Sequence, residues 1–451
     1  MIKISPAKII EQRSHIVPGK LKITEYFFEV PTHWHKPDSR PLRLFARSAR
    51  KAEKPADPTT SSDSDSPGDA KAKQQLPWLV FFQGGPGFGC RSPQDVAWTH
   101  QALDRGYQVL MLDQRGTGLS SPVSASALGL RGDDELQATY LKSFRADSIV
   151  RDAEAVRLAL TEGWPEEKRK WSVAGQSFGG FCITSYLSFY PEGLREAFYF
   201  GGLPPLVSGP DEVYERTFKK VVERNEAYYR KYPEDVKRVK DVVKLLRKFG
   251  DSTLGINFGF HGGFDAVHDL ILRCSNDLAV FGHLTRPTTS LIEQTMPFDD
   301  HIIYAILHEP IYCQGKPAQW SAHRIQQKYA QFSLDKTDDS PIYFTGEMVF
   351  PWMLTDYTEL RSLAKVGELL AQTSDWPALY DEEQLAKNEV PSYAAVYMED
   401  MYVDYDFSMQ TARKIKGCKP FVTNVMYHDA VRSRMDEVWR NIWALRDEVI
   451  D

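Results

Sequence analysis

Apolar positions along this chain follow three successive patterns. Near the start, Leu21 to Val30 and Pro41 to Ala46 are rich in aromatic and β-branched residues, which predicts strands paired antiparallel at the edge of a sheet. From residue 78, short runs that are apolar through their middle take over at Trp78 to Gln83 and Gln108 to Asp113, and Ser172 to Gly175 and Ala197 to Gly201 read as further strands. Runs of that kind suit strands buried on both faces. Between them, Asp147 to Leu160 places Ile149, Ala153, Val156 and Leu160 at helical spacing. Alternating strand and helix predicts an α/β fold, a mostly parallel sheet with helices on both faces.

The rhythm breaks after Leu203-Pro204-Pro205. Residues from Pro210 to Phe249 are charged and helical, with Val213, Phe218, Val221 and Val222 on one face, and a second helix follows Pro233 through Val236, Val239, Val243 and Leu246. These are amphipathic helices that pack on a core. Irregular, aromatic-rich sequence continues to about Glu389. Strands resume at Tyr393 to Tyr397 and Lys419 to Thr423, and Asp436 to Val449 forms a last helix. The expected organisation is a core from residues 1–205, a large helical cap from 206–388 inserted between late strands, and the rest of the core from 389–451. Such a cap would cover the C-terminal edge of the sheet, where open α/β sheets place their sites. The stretch Glu53 to Gln75, with Pro58-Thr59-Thr60-Ser61-Ser62-Asp63-Ser64-Asp65-Ser66-Pro67-Gly68 at its centre, is too polar to bury and is expected to be a mobile surface loop.

Composition narrows the function. Of 451 residues, 42% are hydrophobic and 26% charged, and 55 Lys+Arg against 61 Asp+Glu give a net charge of −6. No basic stripe suggests nucleic acid, and no apolar run of about twenty residues suggests a membrane span. The N-terminus lacks the apolar core of a secretory signal. The five cysteines form no Cys-x-x-Cys pair, which argues against a disulfide framework or zinc site and for reduced thiols in the cytoplasm.

Gly175-Gln176-Ser177-Phe178-Gly179 is the richest motif. It lies between a strand and a helix start, the context of a nucleophile elbow. A serine hydroxyl needs a base, and the base a carboxylate to orient it. Behind such elbows these follow in the order Ser, Asp/Glu, His. His428 stands just after the last strand and is the expected base. Glu399, Asp400, Asp404 and Asp406 follow the strand before it; Asp400 is favoured as the acid, with Asp404 its rival. The Gly84-Gly85-Pro86-Gly87 turn, after the strand at Trp78, lets backbone amides approach an oxyanion. Gly85 and Phe178 are the expected amide donors, with Gly84 against the substrate. Asp113 and Arg115 read as structural neighbours of the elbow. No metal or organic cofactor is required.

Taken together, Gly84-Gly85-Pro86-Gly87, Asp113-Gln114-Arg115-Gly116-Thr117-Gly118-Leu119-Ser120 and Gly175-Gln176-Ser177-Phe178-Gly179-Gly180 resemble the proline iminopeptidases. These are α/β-hydrolase-fold serine peptidases that release N-terminal proline from small peptides. Gln83 departs from the family, which commonly has His before the glycines. The resemblance implies cap carboxylates that read the substrate's free amine. Glu309 in Leu307-His308-Glu309-Pro310 and Glu347 in Gly346-Glu347-Met348 are the candidates, with Phe178 and Trp352 lining the ring pocket. Other members range from monomers to larger assemblies, so a homo-oligomer is compatible with the resemblance. Alternatives are a carboxylesterase, an aminopeptidase of other specificity, or a catalytically silent binding protein on the same fold. Ser177, where epoxide hydrolases and dehalogenases carry Asp, disfavours those two.

Overall fold

A computed structural model describes residues 2–52, 75–246, 253–295, 297–336 and 338–447; the predicted loop at 53–75 falls almost wholly outside the described residues. Among the described residues, nine strands form one sheet: β1 (Lys8–Val17), β2 (Leu21–His33), β3 (Lys36–Lys51), β4 (Trp78–Phe82), β5 (Gln108–Leu112), β6 (Trp171–Gln176), β7 (Leu194–Phe200), β8 (Ser392–Tyr397) and β9 (Cys418–Thr423). Their spatial order is β1-β2-β3-β5-β4-β6-β7-β8-β9. The first three are antiparallel, β3 meets β5 antiparallel, and all later pairings are parallel. The expected β2–β3 pair is present, but β1 takes the edge. Its sequence gives no burial signal because the strand is mostly exposed, with Ile9, Ile10 and Ile16 open to solvent.

The runs are apolar on both strand faces because both sheet faces are covered. Along β4, Trp78, Val80 and Phe82 enter one core while Leu79 and Phe81 enter the other, the period-2 alternation of a strand. Core helices frame the sheet, among them α1 (Trp98–Asp104), α2 (Ala146–Leu160), α3 (Phe178–Phe189) and, after the insertion, helices at Tyr405–Lys414 and Met435–Asp447. Ile149, Val150, Ala153 and Val156 of α2 pack with Phe181, Ile183 and Leu187 of α3 on the first face. Trp98 and Leu103 of α1 join Trp439, Ile442 and Trp443 on the second. Each such large side chain contributes about 1.5–3 kcal/mol when buried.

Between β7 and β8 the chain leaves the sheet and forms α4 (Asp211–Lys231), α5 (Asp235–Leu246), α6 (Gly263–Phe281) and several shorter helices. The predicted face of α4 is inward: Val213, Phe218 and Val221 are buried in the same apolar cluster as the first sheet face. This insertion therefore shares a core with the sheet.

Arg115 ties the antiparallel strands to the parallel ones. Its buried guanidinium donates to both Asp152 carboxylate oxygens (2.7 and 2.5 Å) and to the Thr32 and Ser143 carbonyls (2.8 Å each). Trp34 Nε1 donates to the same carboxylate at 3.0 Å. Removing one partner leaves a buried charge uncompensated. Arg115→Met should therefore cost about 3–5 kcal/mol, measured as a lowered urea midpoint, and adding Asp152→Asn to that variant should recover part of the loss.

Candidate active site

Ser177 sits between β6 and α3 with φ 54° and ψ −126°, a region non-glycine residues occupy only under constraint, at roughly 1–3 kcal/mol. Its amide donates to the Phe200 carbonyl (3.1 Å), and its carbonyl accepts from Gly180 N (2.8 Å). A Cβ on Gly179 would overlap the Phe82 carbonyl oxygen, and one on Gly180 the Gly202 carbonyl oxygen. Glycine at both positions lets the turn close, and the serine is displayed at the head of α3.

His428 and Asp400 come from the loops after β9 and β8. Asp400 Oδ2 lies 2.7 Å from His428 Nδ1, and Oδ1 accepts from the Tyr402 and Val403 amides at 2.9 and 3.0 Å. Both side chains are buried. Placing the ring proton on Nδ1 leaves Nε2 of the neutral imidazole as the free base. Burial alone would depress the His428 pKa, but the Asp400 charge and hydrogen bond, with Glu347 nearby, outweigh it and raise the value.

The other carboxylates after β8 have different partners. Asp404 caps the following helix through Phe407 N (2.9 Å) and meets Arg216 (3.3 Å). Asp406 pairs with Arg216 and Glu399 with Lys220.

Ser177 and His428 line a common cavity of about 320 Å³, together with Gly84 and Gly85. The glycine loop is anchored by Asp113, whose two oxygens accept from Cys90 N (2.7 Å) and Leu119 N (2.8 Å). The far wall is aromatic: Phe88, Phe260, Tyr304 and Tyr402. Among the described residues, Glu347 is the carboxylate of the insertion that faces this space; it accepts a hydrogen bond from the Tyr304 hydroxyl. Burial pushes its pKa up to about 7, against the opposing pull of that hydroxyl and of His428.

The α/β hydrolase fold model matches residues 77–331. Across 460 aligned residues the chain is 45% identical to proline iminopeptidase aneH of Aspergillus aculeatus, covering 99% of each. It is 36% identical to the proline iminopeptidase of Aeromonas sobria over 93% of this chain and 95% of that one. The chain belongs to the proline iminopeptidase family. Among solved structures, the proline iminopeptidase of Mycobacterium smegmatis aligns with a TM-score of 0.42 at 14% identity, over 93% of this chain and 96% of that one.

Two expected substrate-binding residues of this family member lie elsewhere. Glu309 is buried, and its carboxylate caps the short helix Ser321–Gln326, accepting from Ser321 N (3.1 Å) and Ala322 N (2.9 Å). It does not line the cavity. Trp352 also lies off the wall, stacked on Phe350 at 5.8 Å. The Phe178 side chain packs in the core against Phe181, which leaves only its amide near the serine. Sequence reasoning misses Tyr304, Tyr402 and Phe260. Position could flag Tyr402, two residues past Asp400, and Phe88, inside the glycine-rich loop; Tyr304 sits in an ordinary apolar helix, Ile302–Ile306.

Two measurements test these electrostatics. His428 should titrate above an ordinary imidazole by NMR, and Asp400→Asn should bring that value down. For Glu309, burial raises the pKa to about 8. A carboxyl raised in the folded state stabilises below its unfolded pKa, and that contribution is lost as pH rises through about 8. The urea midpoint of Glu309→Gln should therefore fall less than that of wild type between pH 5 and pH 8.

Proposed function

We propose that the chain is a serine aminopeptidase releasing N-terminal proline from small peptides. The observation that carries this reading is the shared cavity: a serine on a strained elbow, a carboxylate-held histidine and one insertion carboxylate, Glu347, facing the same aromatic-walled space. Family membership supports the same reaction.

In the proposed mechanism Ser177 Oγ attacks the scissile carbonyl as His428 Nε2 takes its proton. Asp400 holds the imidazole and stabilises its cation. The amides of Gly85 and Phe178 are assigned to the oxyanion, each such donor supplying roughly 3 kcal/mol. His428 then protonates the departing amine, and water activated by the same base releases proline from the acyl-enzyme.

Glu347 is assigned to the substrate's secondary ammonium. A buried carboxylate with a pKa of about 7 is costly to ionise alone and gains most from a cation placed beside it. The surrounding Phe88, Phe260, Tyr304 and Tyr402 offer flat apolar faces to a pyrrolidine ring. Residues 206–388 act as the cap that limits substrate length. Five unpaired cysteines favour a cytoplasmic setting, and among the described residues no helix is long and apolar enough to cross a membrane.

The test is hydrolysis of aminoacyl-naphthylamides and a p-nitrophenyl ester. Ser177→Ala should lower kcat/KM for prolyl-naphthylamide by at least about 10⁴-fold without lowering the urea midpoint. Glu347→Gln should raise KM for that substrate by about 10–100-fold and affect the ester far less. Ester cleavage with no aminoacyl cleavage would overturn the peptidase assignment, and equal losses on both substrates would overturn the role of Glu347.

A further inference from the structure

A second cavity, of about 200 Å³, adjoins the first; Gln83, Gln176 and Arg432 line both. Gln83 and Gln176 immediately precede Gly84 and Ser177 in the chain, so the second space begins one residue from the nucleophile and the glycine loop. Arg432 lies in the short helix Ala430–Ser433 that follows His428. The charged residues of this second cavity are Arg91, Arg432 and Asp95. Among the described residues neither arginine has a carboxylate within ion-pair distance, and Asp95 pairs with neither. The two guanidiniums instead repel one another, while Asp429 attracts Arg432. Trp98, Val431 and Met435 supply apolar walls beside them.

Two unpaired cations sharing one pocket are complementary to a planar anion, which arginine binds through paired N–H donors. Their place relative to the proposed chemistry says which anion. The departing amine receives its proton from His428, so the leaving part of the substrate lies on the His428 side, where Arg432 stands. The leaving residue of a dipeptide carries its own free carboxylate, roughly 3.5 Å per residue beyond the scissile nitrogen. We propose that Arg91 and Arg432 bind the C-terminal carboxylate of the leaving amino acid, which makes the preferred substrates free dipeptides with an apolar second residue. The apolar side chain would rest against Trp98, Val431 and Met435. Glu347 and the arginine pair would then read the two ends of one zwitterion. This inference rests on the aminopeptidase reading given above.

The experiment compares kcat/KM for Pro-Leu with that for its C-terminal amide, using the full chain, with prolyl-naphthylamide as a substrate that has no carboxylate. Wild type should prefer the free acid by about tenfold, a factor scaled down from buried charge-assisted pairs because both arginines reach solvent. Arg91→Gln should reduce that ratio severalfold, Arg91→Glu should reduce it further, and Arg91→Gln/Arg432→Gln should bring it close to one. A wild-type ratio near one would overturn the inference while leaving the peptidase reading in place. So would a high ratio unchanged in the double variant. If wild type cleaves neither the peptides nor prolyl-naphthylamide, the reading of the function fails and this inference with it.

Discussion

The backbone around Ser177 is held by close packing against its neighbours in the sheet, and the other groups that line its cavity are arranged around it. Strand β4 presses its Phe82 carbonyl against Gly179, and the Gly202 carbonyl presses against Gly180. The Phe200 carbonyl takes the Ser177 amide. The two strands flanking β6, β4 and β7, thus share the cost of a conformation a serine would not adopt in a free chain. Because β4, β6 and β7 are adjacent in a parallel sheet, their C-terminal ends meet at one point. The glycine loop leaves the first of these, the turn bearing Ser177 the second, and the insertion the third.

The insertion completes the site by direct contact. A Cβ on Gly87 would come within 2.8 Å of Tyr304 N, so the glycine loop lies directly against the segment bearing Tyr304. Phe88 stacks on His301 at 4.1 Å. On the opposite side, His261 meets Asp429, the residue after His428, through both its amide (3.1 Å) and Nδ1 (2.7 Å). The Tyr402 hydroxyl donates to the Ile256 carbonyl. The loops after β8 and β9 are therefore braced by the insertion as well as by the sheet, and insertion and sheet share one apolar cluster.

What the sequence discloses follows from which forces leave a periodic or local trace. Buried strands such as β4 and β5 are legible because burial on both faces leaves almost only apolar residues, Gln108 at the start of β5 being the exception. The elbow is legible because steric exclusion demands glycine at fixed offsets from Ser177. β1 leaves no such trace, since an exposed edge strand is held mainly by backbone hydrogen bonds to β2. Asp400 and Asp404 look alike in sequence; the structure separates them by the amides they accept, one from the loop beside His428 and the other from the start of a helix. Glu309 and Glu347 both sit among apolar residues, and composition cannot tell a carboxylate that caps a buried helix from one that faces a cavity. Proximity in sequence to Glu347 points Trp352 to the cavity wall, whereas its ring turns away to stack on Phe350.

The two insertion carboxylates also show how the same raised pKa can have different consequences. Glu309 is raised by burial but already accepts two backbone amides, so its hydrogen-bonding capacity is used within the fold. Glu347 has one side-chain partner, the Tyr304 hydroxyl, and it shares its surroundings with Asp400 and His428. Asp400 pushes its pKa up and His428 pulls it down, which couples the state of Glu347 to that of the imidazole. In the proposed reaction a substrate ammonium would favour the ionised form of Glu347, and an ionised Glu347 would in turn favour the protonated form of His428 that arises as Ser177 attacks. Recognition of a free amine and stabilisation of the charge that develops on the base would then reinforce each other, an advantage that an ester without an amine could not draw on.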